Sequence, residues 1–235
     1  MSPLIISHRG KIGLGSPENA LIGILEAIEL GVDMVEFDVR RTKDGRLVCH
    51  HDATVGDKLV SDLNFKALKK LKSSICKLED VIEICKGKVG VNLEIKEKGF
   101  EDRIVNKLTA NFSYDKIFVT SFSSSVIRKI KNLDPKITAG LLIGDAINFQ
   151  VFYKILKESI FMSEFHYSQA DFISPFYKIY EMGLMKRFEN LGIPIQLWTV
   201  NDLVFLKDLI NSDIQSIVTD VPGKLFQTHL NSKNV

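Results

Sequence analysis

The sequence predicts an α/β fold: a (β/α)8 barrel of the TIM type with a small hairpin-and-helix insertion after the second strand. Three observations carry it. Short apolar runs alternate with segments of helical spacing eight times along 235 residues. The alternation is strict, which implies parallel strands joined by right-handed crossovers. Polar residues also gather where a barrel has its mouth: His8, Glu36, Asp38, Glu94, Lys96, Ser121, Trp198 and Asn201 all fall at or near the C-terminal ends of the expected strands. A doubly wound open sheet shares the first two observations. The third favours the barrel.

Taken in order, Leu4–Ser7 is a short apolar strand that ends on His8-Arg9-Gly10. Ser16-Pro17-Glu18 reads as the cap and first turn of a helix that carries Leu21, Leu25 and Ile28 and stops at Gly31. The second strand spans 32–39. Asp44-Gly45 is a turn dipeptide, and 46–51 is the returning arm of a hairpin. Helical spacing follows over 61–71 and 78–85, then a strand over 89–96 and a helix over 99–111. The remaining units pair strands at 117–122, 137–143, 171–176, 193–200 and 216–219 with helices at 124–133, 145–158, 180–191, 202–210 and 222–229. Without repeat or linker, residues 1–235 read as one domain.

Composition excludes several classes. The hydrophobic share is 45%, the charged share 26% and the net charge +2, ordinary values for a globular chain. No basic run is dense enough for a nucleic-acid groove. Cys49, Cys76 and Cys85 have no metal spacing and no even count, so reduced thiols in a cytoplasmic protein are expected. Residues 1–7 lack the basic start of a signal peptide, and no apolar run approaches the ~20 residues of a membrane span.

The stretch from Glu36 to Asp52 looks like chemistry. On a strand, Glu36 and Asp38 share one face while Val35, Phe37 and Val39 share the other. On the returning arm, Leu47, Cys49 and His51 face one way, and Val48 and His50 the other. A hairpin thus brings two carboxylates and an imidazole together, and stability alone asks for no such group.

The ordered set His8-Arg9-Gly10, Pro17-Glu18-Asn19, Glu36-Phe37-Asp38-Val39, Asp44 to Val48, His51-Asp52, Asn92 to Lys96, Trp198 to Asn201 and Thr219 to Pro222 resembles the glycerophosphodiester phosphodiesterase family. The resemblance spans nearly the whole chain. It implies a TIM-barrel hydrolase that uses a divalent metal to cleave glycerophosphodiesters to glycerol 3-phosphate and an alcohol. The chain departs from the family's usual pattern at Ala20 and over 53–58. Its short segment between His51 and Asn92 implies a reduced substrate-capping insertion.

Against that resemblance, Glu36, Asp38 and Glu94 form an all-oxygen ligand set suited to Ca²⁺ or Mg²⁺. His8 and His51 are the expected acid and base, as their equivalents are in the family. Arg9 and Lys96 are cations for the substrate phosphate, with charge balance for the acids as the plainer role. Trp198 is expected to wall the substrate pocket, and Asp220 to cap the last helix. His50, His166 and His229 are assigned no role. The aromatic-rich run of Phe149, Phe152, Tyr153, Phe161, Phe165 and Tyr167 is expected in the core, with a mouth lining or a homodimer face as alternatives. A lysophospholipase D acting on lipid substrates and a non-catalytic phosphate-binding barrel are the competing functions.

Overall fold

The computed structural model describes residues 2–144 and 149–225. Eight parallel strands form the barrel: β1 (Leu4–Ser7), β2 (Met34–Arg41), β3 (Gly90–Ile95), β4 (Ile117–Ser121), β5 (Thr138–Ile143), β6 (Phe172–Pro175), β7 (Gln196–Leu197) and β8 (Ser216–Thr219). They neighbour one another in the order β6-β5-β4-β3-β2-β1-β8-β7. Parallel bridges Ile173 to Ile195 and Phe176 to Trp198 bring β6 against β7 and all but close the ring. The open sheet is thereby ruled out. Among the described residues, no helix is long and apolar enough to cross a membrane.

The period-2 reading of β2 holds. Val35, Phe37 and Val39 are fully buried among the surrounding helices, packed with Ile24, Leu78, Ile104 and Ile127. Met34 lies on the other face, in the apolar plug with Ile6, Phe118, Phe172 and Val218. Gly140 makes room for that plug, since a Cβ there would sit 2.1 Å from the Phe172 ring. Elsewhere the interior is polar and self-satisfied. Gln196 accepts from Asn92 (3.3 Å) and Ser216 (3.1 Å) and donates to Ser174 (3.2 Å). This leaves the strand ends to carry the unpaired charge.

The insertion after β2 is built as expected, with shorter elements. Gly45 takes the left-handed conformation of the turn (φ 75°). The returning arm is Leu47–Cys49, antiparallel to β2, so His50 and His51 lie just beyond it. Cys76–Lys77 pairs with its other edge. The helix expected over 61–71 starts later, at Phe65, because Asn64 caps it by accepting from the Ala67 N–H at 2.9 Å.

Other boundaries moved for local reasons. The first helix is Leu21–Leu30, not one opened by Ser16-Pro17-Glu18. The helix expected over 180–191 is two short ones, Tyr177–Glu181 and Lys186–Asn190, separated where Gly183 turns left-handed (φ 73°). The strand expected over 193–200 pairs regularly only at Gln196–Leu197. Phe149–Phe161 and Ser163–Ser168 are helices. The expected start of the former at Asp145, the Phe149 side chain and the end of the helix expected over 222–229, with His229, lie outside the described residues.

Candidate active site

β1 ends in the turn His8–Gly10, where Arg9 (φ 55°) and Gly10 (φ 70°) are both left-handed. The turn swings the Arg9 N–H onto Glu36 Oε2 at 2.8 Å. The Arg9 guanidinium donates to Glu18 at 2.6 Å and lies 3.4 Å from Asp38. Glu36 and Asp38 rise from the inner face of β2, and Asp38 neighbours Glu94 of β3. The three acids are buried, with ligand oxygens all within 4.8 Å of one another. Lys96 reaches in behind them, 2.6 Å from Glu94 Oε1 and 3.0 Å from Asp38 Oδ1.

Asp38 is held from behind by Asn19, itself left-handed (φ 51°) and buried. The Asn19 amide donates to Asp38 Oδ2 (2.8 Å), and its carbonyl accepts the Asp38 N–H (3.0 Å). Glu18 was expected in the first turn of a helix, and Asn19 follows it. Their side chains turn into the site instead, which is why the helix begins only at Leu21.

The electrostatics follow from the crowding. Burial, then Asp38 and Glu94, push the Glu36 carboxyl well above its ordinary range. Burial and Asp38 push Glu94 up to about 7 against the pull of Lys96. Asp38 goes the other way: burial opposes its charge, but Lys96, Arg9 and Asn19 hold it down to about 2. Two reluctant carboxyls beside one committed carboxylate are a set that a divalent cation would complete. Glu94 Oε1 is buried and meets the Lys96 ammonium, with which a cation would share it. The donors are oxygens throughout, so the residues fit Ca²⁺ or Mg²⁺.

His8 stands beside this cluster. Its Nδ1 lies 2.8 Å from Asp220 Oδ1. Asp220 does not cap the last helix as expected; its carboxylate is taken by His8, by Lys11 at 2.9 Å and by Asn201 at 2.7 Å. His51 lies at the rim, half exposed, with Nδ1 2.8 Å from Asp52. A positive charge on its ring would favour the carboxylates of Asp38 and Glu18. His50 is buried and spends Nε2 on the Thr54 carbonyl at 2.9 Å.

This set of residues falls inside one family match. The model of the "Glycerophosphoryl diester phosphodiesterase family" covers residues 8–224. The chain belongs to that family. It is 28% identical over 247 residues to a glycerophosphodiester phosphodiesterase of Caldanaerobacter subterraneus subsp. tengcongensis, across 96% of this chain and 97% of the relative. Its fold matches a solved glycerophosphodiester phosphodiesterase of Parabacteroides distasonis, with a TM-score of 0.78, 22% identity and coverage of 100% and 99%. It also matches a phosphodiesterase of Oleispira antarctica solved with the product sn-glycerol-3-phosphate (TM-score 0.76, 22% identity, coverage 98% and 97%).

In this glycerophosphoryl diester phosphodiesterase barrel, Trp198 forms part of the rim. It donates Nε1–H to the Ser174 carbonyl at 2.8 Å, meets Phe122 edge to face (centroids 5.5 Å apart) and lies tilted against Phe176 (5.7 Å). The Phe122 ring also lies 6.0 Å from the Lys96 ammonium. Beyond Phe122 opens a cavity of about 860 Å³, lined by Leu142, Ile143 and Ile155 and also by the charged Lys154, Lys157 and Glu164. The aromatic run was expected in the core, and among its described side chains only Phe165 is there. Phe152, Tyr153, Phe161 and Tyr167 are exposed. His166 stays outside the cluster, beside the Phe165 ring. Glu18, Asn19, Lys11, Phe122 and Asp220 are the site-forming residues that sequence reasoning did not single out for it.

Proposed function

We propose that this enzyme hydrolyses glycerophosphodiesters to sn-glycerol 3-phosphate and an alcohol, with one divalent cation, Ca²⁺ or Mg²⁺, and two histidines. The observation that carries it is the buried triad Glu36, Asp38 and Glu94 beside His8 at one barrel mouth. A bound cation would neutralise charge developing on the phosphoryl oxygens. Arg9 and Lys96 hold the phosphate, Arg9 as a fork and Lys96 as a point charge. One of His8 and His51 takes the proton of the attacking hydroxyl, from water or from the glycerol itself. The other hands a proton to the departing alkoxide. Trp198 and Phe122 wall the organic part of the substrate. The working unit is the single domain 1–235 in the cytoplasm. Glycerol 3-phosphate release from a panel of glycerophosphodiesters tests the reading, with chelator and with each metal added back. Full turnover after exhaustive chelation would sink the metal.

A second reading takes its support from the cavity. It runs from Phe122, beside Lys96, to Tyr153 on the helix Phe149–Phe161, and that helix also exposes Phe152, Ile160 and Phe161. Such a lip suits a phosphodiester with an acyl chain, the substrate of a lysophospholipase D, or else a second copy of the chain in a homodimer. Turnover of micellar lysolipid against water-soluble glycerophosphocholine separates these uses, and the oligomeric state in solution tests the dimer.

A further inference from the structure

The two histidines each carry an aspartate on Nδ1, but in opposite surroundings. Asp52 is the neighbour of His51 in sequence, and its side chain is 65% exposed. Asp220 follows β8, the strand paired with β1, and its side chain is only 12% exposed. Three elements hold it there. Lys11, after the first turn, meets Oδ1 at 2.9 Å. Asn201, after β7, donates to Oδ2 at 2.7 Å and accepts the Asp220 N–H at 2.9 Å. Thr219, the last residue of β8, donates its hydroxyl to the same Asn201 carbonyl at 3.2 Å. A carboxylate fixed by so many donors only accepts, so the hydrogen between it and His8 belongs to Nδ1. Nothing else asks for this arrangement: the helix cap expected of Asp220 is not made.

We propose that Asp220 is a positioning residue for His8, fixing the ring with hydrogen on Nδ1 and the lone pair on Nε2, so that His8 is the base and His51 the acid. The inference rests on the diesterase function proposed above. In the step it assigns, Nε2 takes the proton of the attacking hydroxyl as its oxygen bonds to phosphorus. The bond from phosphorus to the alcohol oxygen breaks, and that oxygen takes a proton from His51. Burial agrees with the assignment, since it pushes His8 below the ordinary imidazole range and leaves the ring neutral at the start.

The test uses two glycerol phosphodiesters, one of choline and one of nitrophenol, whose leaving phenolate needs no proton. Asp220→Asn and His8→Ala should lose kcat on both esters alike, about 10²-fold or more, with KM little changed for Asp220→Asn. His51→Ala should lose as much on the choline ester and recover most of it on the nitrophenyl ester. Asp220→Glu should restore part of what Asp220→Asn loses. ¹⁵N NMR of the wild type should show the His8 proton on Nδ1, a readout that no misfolded variant can spoil. Full kcat in Asp220→Asn, recovery of that variant on the nitrophenyl ester, or a wild-type ring protonated on Nε2 overturns the inference alone. A wild type that turns over neither ester overturns the proposed function itself.

Discussion

His50 and His51 are neighbours in the chain with opposite surroundings, and substitution should separate them. His51→Ala should cost about 10²–10⁴-fold in turnover, the usual worth of a proton-transfer group. His50→Ala should keep most turnover and lose about 1 kcal/mol of stability with its buried hydrogen bond to Thr54. Steady-state rates and thermal melts check both; equal losses in rate would refute the difference. Alternation along the hairpin does not by itself tell these residues apart. Cys49 pairs with Val39 and packs on its face, and both histidines lie beyond the last ladder pair, where a two-residue period no longer holds. Asp220 was not legible either. An acid before Val221-Pro222 looks like a helix cap, and its partner His8 is 212 residues away. Asn19 was hidden for a similar reason. Its work is to grip Asp38 from a left-handed backbone, which no local pattern announces.

At the scale of elements, the first helix sets the turn that carries His8 and Arg9. Its Gly23 packs directly on that turn: a Cβ there would stand 2.7 Å from the Gly10 carbonyl oxygen and 3.0 Å from that of Pro17. Both obstacles are backbone, so the helix must back away. Gly23→Ala should therefore cost about 1–3 kcal/mol and lower kcat by displacing Arg9 from Glu36. Denaturant melts and kinetics measure the two effects, and a variant with wild-type values for both would refute this account of the packing. Strand and helix alternation was readable throughout, because buried parallel strands are apolar runs of a length helices do not share. Boundaries were less so. Gly183 sits inside an otherwise helical pattern, and only its left-handed conformation splits the helix. The short β7 lies inside a long apolar run, because apolar spacing does not report where ladder pairing stops.

For the whole molecule, the crowded acids make metal and stability one question. Glu36 has two like charges beside it, and the Arg9 backbone N–H is what meets its oxygen. Glu36→Gln should therefore melt no lower than wild type in chelator, since the amide carbonyl can still accept that N–H. Wild type should gain about 2.7 kcal/mol at a hundredfold excess of Ca²⁺ over its dissociation constant. Glu36→Gln should gain much less. A variant that melts lower in chelator and gains as much from Ca²⁺ would show that Glu36 is not a ligand. Protons act through His8. Its folded pKa is depressed, so below about 6.5 the unfolded chain takes up a proton that the folded chain resists. The stability this gives is complete above that pH and lost as pH falls through the window beneath it. Between pH 7 and 5.5, wild type should lose melting temperature faster than His8→Gln, and parallel curves would refute it. The buried carboxyls are common to both proteins and cancel in the difference.

The charged machinery occupies one contiguous arc of the ring. Asp220, His8 and Arg9, Glu36 and Asp38, and Glu94 and Lys96 belong to β8, β1, β2 and β3, which are direct neighbours. The facing arc, β4 to β7, offers the mouth aromatic rings and a cavity of mixed lining. Apart from Asn201 after β7, which holds Asp220, changes there alter what the ring admits and leave the proton-handling groups where they are. The barrel is thus divided into a half that sequence drift must spare and a half it is free to rewrite. New leaving groups can be acquired by remodelling the loops after β4 to β6, without the reaction being invented twice.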